Sequence, residues 1–274
     1  MDVVLGNLPT ILALVATVFF AGLLAGLLGV GGGIIIVPVL FFVFQSFDVS
    51  MQSAMLIATA TSLATIVPTS ISSLKSHHNK GNVDFILLKS WSLFILIGVV
   101  IGSILVTQYG GQWLSSVFAV IACLSALNML FRSAKARIAD TLPGLIGQRM
   151  IASCIGFFSA MVGIGGGTLS VPILTSFNYP AHKAVGSAAG IGLIISLPGA
   201  ITMLVFGVTP SDAPVGTYGL VNLIGFICIV PLTVIFAPLG AKLANKMNPN
   251  VLKKVFATVL LFTGLRMLGQ LFNS

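Results

Sequence analysis

Long apolar runs, separated by short polar links, occupy almost the whole chain. They cover residues 8–44, 52–74, 85–107, 112–131, 149–177, 184–207, 217–241 and 251–272. Roughly 18 consecutive apolar residues are enough for a helix that crosses a bilayer. Only 7% of the residues are charged, whereas an average soluble domain carries about 25%. The pattern predicts an all-α polytopic membrane protein in a lipid bilayer. Because its basic residues lie in short links, we expect no nucleic-acid partner.

The chain contains two copies of one sequence unit. "GVGGGIIIVPVL" at 29–40 recurs as "GIGGGTLSVPIL" at 163–174, and "LSSVFAVIACLSALNML" at 114–130 resembles "LKKVFATVLLFTGLRML" at 252–268. Between these matches, Pro68 corresponds to Pro198. Collinear self-similarity of this kind indicates a duplicated architecture. We therefore divide the chain into a first transmembrane repeat, a cytoplasmic linker and a second transmembrane repeat, at residues 1–131, 132–148 and 149–274.

The positions of Lys and Arg select one topology. The links at 45–51, 108–113 and 208–216 contain neither residue, whereas basic residues cluster after the second run, in the linker and before the last run. Basic links face the cytoplasm, and this holds throughout only if runs 8–44 and 149–177 are each a hairpin. Each repeat then has about five helical segments, both termini lie outside, and the repeats have inverted topology. Many secondary transporters share this plan.

The glycine clusters at the hairpin tips are the first candidate binding site. Consecutive glycines cost helix stability, about 1 kcal/mol each relative to Ala, but they allow the chain to reverse. The helix that follows each cluster starts with amides that lack intrahelical partners and attract anions. A purely structural turn is the alternative. The substrate-binding candidates are Gly29, Gly31, Gly32, Gly33, Gly163, Gly165, Gly166, Gly167 and Thr168. We assign the pair Gly98 and Gly102 to close helix packing instead.

Polar side chains within the spans form a second group of candidates. Hydroxyls in a membrane helix either bond locally, to their own or a neighbouring helix, or orient a ligand. This group comprises Thr59, Thr61, Ser62 and Ser187. Arg266, in the last span, aligns with Asn128; a functional role and an interfacial position both stay open for Arg266. His182 is a further possibility, because all five acidic residues are Asp in links or termini and a coupling proton would need another carrier.

Several kinds of chemistry are not expected. Cys123, Cys154 and Cys228 lie in apolar runs without metal-ligand spacing, and we interpret them as small core residues. The sequence contains no nucleotide-binding motif and no arrangement of a nucleophile with a base. We therefore predict no metal, no cofactor and no enzymatic activity.

The duplicated glycine motif, each copy followed by three residues and Val-Pro, resembles the TauE/SafE family of sulfite exporters and sulfonate permeases. "KGNVD" at 80–84 and "AHKAVGSAAG" at 181–190 also resemble it. The resemblance implies a multi-pass permease of the bacterial cytoplasmic (inner) membrane. It implies export of a small anion, such as sulfite or a short organosulfonate like sulfoacetate, bound near the glycine motifs. Because "ATATS" at 58–62 departs from the family's Gly-Thr-Ser type of stretch, specificity stays open. A passive anion channel, a transporter of non-sulfur organic anions and a homo-oligomer also stay open.

Overall fold

The computed structural model describes residues 33–110, 112–131, 138–231, 233 and 249–272. Its elements, in chain order, are α1 (Gly33–Gln45), α2 (Met51–Asn79), α3 (Phe85–Tyr109), α4 (Gln112–Phe131), α5 (Leu145–Val162), α6 (Gly166–Ser176), α7 (Ala181–Val205), β1 (Thr217–Tyr218), β2 (Val221–Asn222), α8 (residues 223–231) and α9 (Pro249–Phe272). Among the described helices, α2, α3, α5 and α7 are long and apolar enough to cross a membrane. The chain is therefore a mostly helical, multi-pass membrane protein.

Helices α3 and α5 pack side by side and run in the same direction. Near their starts, Trp91 Nε1 donates a hydrogen bond to Gln148 Oε1 at 3.2 Å. Farther along, a Cβ on Gly98 would lie 2.1 Å from the Ser153 carbonyl oxygen, and one on Gly102 would lie 2.7 Å from that of Phe157. Only glycine permits such an approach, so the packing role predicted for Gly98 and Gly102 is confirmed.

Helices α2 and α7 are antiparallel and form the centre of the bundle. Gly199 of α7 lies against Leu63 of α2, and Gly192 lies against Ser70. In the 18-residue apolar stretch of each helix, 67% of α2 and 56% of α7 is buried inside the protein, compared with 39% for both α3 and α5. Helices α3 and α5 therefore face the lipid more than α2 and α7 do.

The two ends of the bundle differ in charge. Helices α3, α5 and α7 begin at the end where α2 finishes, and we call this the basic end. The basic residues described near it are Lys75, Lys80, Lys89, Arg149 and Lys183. The opposite end, which we call the acidic end, contains the links 46–50 and 206–222. These two links include Asp48 and Asp212 but neither Lys nor Arg.

The chain reverses between α5 and α6. The Ile138 N–H, which precedes α5, donates to the carbonyl oxygen of Ser176, the last residue of α6, at 2.8 Å. Helix α6 therefore finishes at the basic end, where α5 begins. With 11 residues, α6 is about 16 Å long, roughly half of the ~30 Å hydrocarbon core. The corresponding reversal predicted for 8–44 lies mostly outside the described residues.

The sequence analysis treated the run at 217–241 as a helical segment, but in the structure this run does not begin as a helix. Residues 217–222 form the antiparallel pair β1–β2, with Gly216 at φ +84° and Gly219 at φ +55°. These left-handed conformations favour glycine and end the helical pattern. The Asn222 side chain fixes the turn, because Nδ2 donates to the Val215 carbonyl oxygen and Oδ1 accepts from the Gly225 N–H.

The interpretation of the cysteines as core residues is wrong for two of them. Cys154 and Cys228 are exposed on the outside of the bundle, and Cys123 is half-buried. A lipid-facing surface is as apolar as the core, so an apolar run does not distinguish the two positions.

Candidate functional site

The turn between α5 and α6 is built from glycine because of its backbone geometry. Gly163 follows α5 at φ +72°, and its N–H donates to the Ser159 carbonyl oxygen. The Ile164 N–H donates to the same oxygen at 3.0 Å. Gly165, in an extended conformation, then precedes the first residue of α6. A side chain at Gly163 would strain this left-handed position, so the reversal depends on glycine.

The starts of the two half-length helices α1 and α6 meet in the interior. A Cβ on Gly33, the first residue of α1, would lie 2.7 Å from the Gly163 carbonyl oxygen and 3.1 Å from the Gly165 nitrogen. From this point α1 leads to the acidic end and α6 leads to the basic end. The structure thus brings Gly33 together with the second glycine motif. Gly29, Gly31 and Gly32 lie outside the described residues.

Hydroxyl groups of α2 pack on this turn. Ser62 Oγ donates to the Gly163 carbonyl oxygen at 2.8 Å. A Cβ on Gly163 would lie 2.9 Å from Thr59 Cα, so the backbones touch. Thr61 Oγ1 accepts from the Asn222 N–H at 2.9 Å and so supports the β1–β2 turn. Thr59 Oγ1 is buried without a partner in the described part of the chain. Of the three predicted α2 hydroxyls, only that of Thr59 lacks a partner among the residues that the structure describes.

The first turn of α6 presents a second hydroxyl of this kind. Thr168 is only 8% exposed, and its Oγ1 has no partner among the described residues. Leaving a buried hydroxyl unpaired costs about 1–3 kcal/mol. The first amides of a helix also lack intrahelical acceptors and carry the positive end of the helix dipole. Gly166 and Gly167, both buried, add no side chain that would cover these amides.

A cavity of about 890 Å³ lies between α4 and α6 and reaches this turn. Three predicted residues, Gly167, Thr168 and Asn128, line it. The other lining residues are Ser116, Val117, Val120, Ile121, Leu124, Ser125, Phe158, Leu169, Val171, Pro172 and Ile173. None of these residues is charged. The volume is in the range of small-molecule sites, roughly 300–1,000 Å³.

The remaining predicted residues lie away from the glycine turn. Ser187 Oγ accepts from the Asp84 N–H at 3.0 Å near the basic end. His182 is exposed at that end. Arg266 is exposed, and its guanidinium carbon lies 4.4 Å from the centroid of the Phe42 ring.

Two aspartates that the sequence analysis did not assign join the two halves. Asp84 Oδ1 accepts from the N–H groups of Ile86 and Leu87, both at 3.0 Å, which caps α3. Its other oxygen, Oδ2, accepts from the Tyr179 hydroxyl. This bond is the main reason why the pKa of Asp84 is lowered, and burial is the main reason why that of Tyr179 is raised.

Asp212 plays the equivalent part at the acidic end. Its Oδ1 accepts from Ser53 Oγ at 2.6 Å, and its Oδ2 accepts from the Ser50 N–H at 2.8 Å. The bond from Ser53 is the main cause that lowers the pKa of Asp212 to about 2. The sequence offered one signal for this pair, since Asp84 and Asp212 follow the repeat-related spans that contain Pro68 and Pro198.

Comparison with known proteins places the chain in a family. Residues 14–267 match the family described as sulfite exporter TauE/SafE. A probable membrane transporter protein of Haemophilus influenzae is 30% identical over 90% of this chain and 94% of its own length. A similarly named protein of Methanocaldococcus jannaschii is 28% identical, over 91% of this chain and 92% of its own length. No solved structure matches the chain. The chain belongs to the TauE/SafE family of membrane transporters.

Proposed function

We propose that this protein is a secondary transporter that exports a small sulfur-containing anion across the bacterial cytoplasmic membrane by alternating access. The substrate would be sulfite or a short organosulfonate such as sulfoacetate. The observation that carries the proposal is the unpaired Thr168 hydroxyl at the start of α6, beside a cavity. The description of the family, sulfite exporter TauE/SafE, supports the substrate class.

The anion would bind through neutral donors. Its oxygens would accept from the first amides of α6 and from the Thr168 hydroxyl, with the Asn128 amide as a further donor. A helix start supplies the equivalent of about half a positive charge. No charged residue lines the cavity, so these neutral donors alone would hold the anion. The apolar lining suits the organic part of a sulfonate.

Alternating access would follow from an inverted repeat. In support, α1 and α6 start at the same interior point and run to opposite ends of the bundle, and the repeat motifs place them at corresponding positions. Transporters with inverted repeats bind substrates where such broken helices meet and then expose the site to one side at a time. The basic end would face the cytoplasm, as the positive-inside rule requires.

The binding site can be tested with two threonines of the same helix. Thr168→Val keeps the shape of the side chain and removes the unpaired hydroxyl. Because a hydrogen bond to a charged group contributes about 1.5–3 kcal/mol, we expect the dissociation constant for sulfite or sulfoacetate to rise at least about tenfold. Isothermal titration calorimetry on purified protein measures it, and chloride serves as the control anion.

Thr175→Val is the matched control. Thr175 Oγ1 donates to the Val171 carbonyl oxygen at 2.9 Å, far from the α6 start. This variant should bind like the parent. If Thr168→Val bound sulfite and sulfoacetate as tightly as the parent protein does, the assigned site would be contradicted.

The proposed topology has a separate test. Single cysteines that replace Ser46 and Pro180, at opposite ends of the bundle, should react with a membrane-impermeant maleimide from opposite sides. We expect the Ser46→Cys variant to be labelled from outside and the Pro180→Cys variant from the cytoplasm. Labelling of both from one side would rule out the inverted arrangement.

A further inference from the structure

Two carboxylates, each following one of the repeat-related spans α2 and α7, connect the halves of the molecule, one at each end. We define the inner interlock as Asp84 with Tyr179 and Ser187, and the outer interlock as Asp212 with Ser50 and Ser53. In the inner interlock, a first-repeat aspartate is bound by second-repeat hydroxyls. In the outer interlock, a second-repeat aspartate is bound by first-repeat groups. The two arrangements are reciprocal.

Each interlock sits where a half-length helix meets the surface. Tyr179 lies in the short link after α6, and Ser50 lies in the short link after α1. The opposite ends of α6 and α1 meet at the glycine turn. Opening an interlock therefore frees the outer end of one half-helix while its inner end stays at the proposed binding site. The same opening separates a link of one repeat from the first turns of a long helix in the other.

The bonds in both interlocks suit reversible contact. The Asp84 carboxylate accepts from the Tyr179 hydroxyl, and the Asp84 N–H donates to the Ser187 hydroxyl. The Asp212 carboxylate accepts from the Ser53 hydroxyl and the Ser50 N–H. All these groups lie near the ends of the bundle, where water can replace each partner. Within the described ranges, neither carboxylate forms a salt bridge. Charge-assisted hydrogen bonds of this kind are stronger than neutral ones, yet each can exchange for a bond to water.

We propose that Asp84 and Asp212 are the gating residues of the transport cycle. The inner interlock closes the path from the basic end, and the outer interlock closes the path from the acidic end. Both interlocks are formed in this structure. The inference rests on the proposed alternating access, in which one interlock opens while the other stays closed. It differs from a purely structural role because each interlock should control access from its own side only.

The test removes one donor from each interlock and leaves both carboxylates in place. Tyr179→Phe removes the hydroxyl that binds Asp84 and leaves the Asp84 cap of α3 intact. Ser53→Ala removes the shortest bond to Asp212. The reporter is Thr59→Cys, a buried position at the glycine turn, in a background where the three native cysteines are replaced by serine. A membrane-impermeant maleimide is added to right-side-out or to inside-out vesicles.

We expect each variant to increase labelling from one side only. Tyr179→Phe should increase the labelling rate of Thr59→Cys about tenfold from the basic-end side, and Ser53→Ala about tenfold from the acidic-end side, because the lost bond shifts the closed-to-open ratio by roughly this factor. The matched controls are Tyr218→Phe and Ser46→Ala, which remove exposed hydroxyls outside both interlocks. If Tyr179→Phe does not fold, Ser187→Ala weakens the same interlock.

The outcomes separate the gates from the transported substrate. An increase from the same side in both variants, or no increase beyond the controls, would overturn the gating assignment. Labelling requires no substrate, and sulfite exchange is measured separately in proteins that keep Thr59. Side-specific increases in labelling, without sulfite exchange by the parent protein, would retain the gates and reject the substrate. Sulfite exchange with unchanged labelling would retain the transporter and reject the gates.

Discussion

Polar side chains at the two ends of the bundle and in its interior differ in how they are hydrogen-bonded. At the ends, the carboxylate of Asp84 accepts from three donors and that of Asp212 accepts from two. In the interior, Thr59 and Thr168 are buried with hydroxyls that have no partner in the described part of the chain. Unpaired buried groups reduce stability unless a ligand or water satisfies them. The ends therefore use these polar groups to join the halves, and in the proposed function the substrate satisfies the two unpaired interior hydroxyls.

The comparison extends to the glycines. A Cβ on Gly166, in the interior, would lie 2.5 Å from Ile191 Cγ2 and 2.7 Å from the Gly192 nitrogen, whereas a Cβ on Gly144, in a link, would contact nothing within 4 Å. Gly166 therefore has a packing role between α6 and α7 in addition to any role in binding. Loss of function in a Gly166 variant does not by itself demonstrate ligand contact, and for this reason the binding test uses Thr168.

The largest effect is expected for Gly166→Ala. The added methyl group would overlap with the backbone of α7. Because that backbone is fixed within a packed helix, α6 must shift. Overpacking of this kind costs about 1–3 kcal/mol. We expect the thermal unfolding temperature to fall by several degrees, measured by tryptophan fluorescence in detergent. Gly144→Ala is the control and should unfold like the parent; equal unfolding temperatures for both variants would contradict the interior packing.

A smaller effect distinguishes two neighbouring threonines of α2. Thr61→Val leaves the buried Asn222 N–H without its acceptor, at a cost of about 1–2 kcal/mol. Thr59→Val removes a hydroxyl that has no partner in the described ranges, so stability should be unchanged or slightly increased. Both stabilities follow from thermal unfolding without substrate. Substrate exchange should decrease only in the Thr59 variant. If Thr59→Val lowered the unfolding temperature more than Thr61→Val does, the partners assigned to these hydroxyls would be contradicted.

The smallest effect concerns pH at the acidic end. The folded pKa of Asp212 is about 2, below the usual value of 3.8 for an aspartate. Its stabilising contribution is therefore complete above about pH 4 and is lost as the pH falls towards 2. Solvent screening keeps this contribution small, because the carboxylate is exposed. Unfolding temperatures between pH 6 and pH 3 should fall slightly less steeply for Asp212→Asn than for the parent. Asp48→Asn is the control, and identical slopes in all three proteins would contradict the bond to Ser53.

The helical spans were largely predictable from the sequence. Apolar runs and the absence of charge located α2, α3, α4, α7 and α9 to within a few residues, because a bilayer requires long apolar helices. Consecutive glycines marked the break that separates α5 from α6. The topology with inverted repeats stays a prediction, since the described residues do not include most of the first hairpin.

The polar contacts were not predictable. Thr59, Thr61 and Ser62 are nearly adjacent in the sequence, yet one is unpaired, one supports β1–β2 and one binds Gly163. The partners depend on how α2 is rotated about its axis and on which segments of the protein pack against it. A single sequence gives neither. The interlocks were not predictable for the same reason, because Asp84 contacts Tyr179 only after the two halves pack together.

Counterflow in proteoliposomes tests the central claim most directly. Purified protein is reconstituted into vesicles loaded with unlabelled sulfite or sulfoacetate, and uptake of the radiolabelled anion is followed. A transporter with alternating access should accumulate label transiently by exchange, and Thr168→Val should slow this exchange while Thr175→Val should not. Voltage-driven flux without exchange would instead indicate a channel and contradict the account.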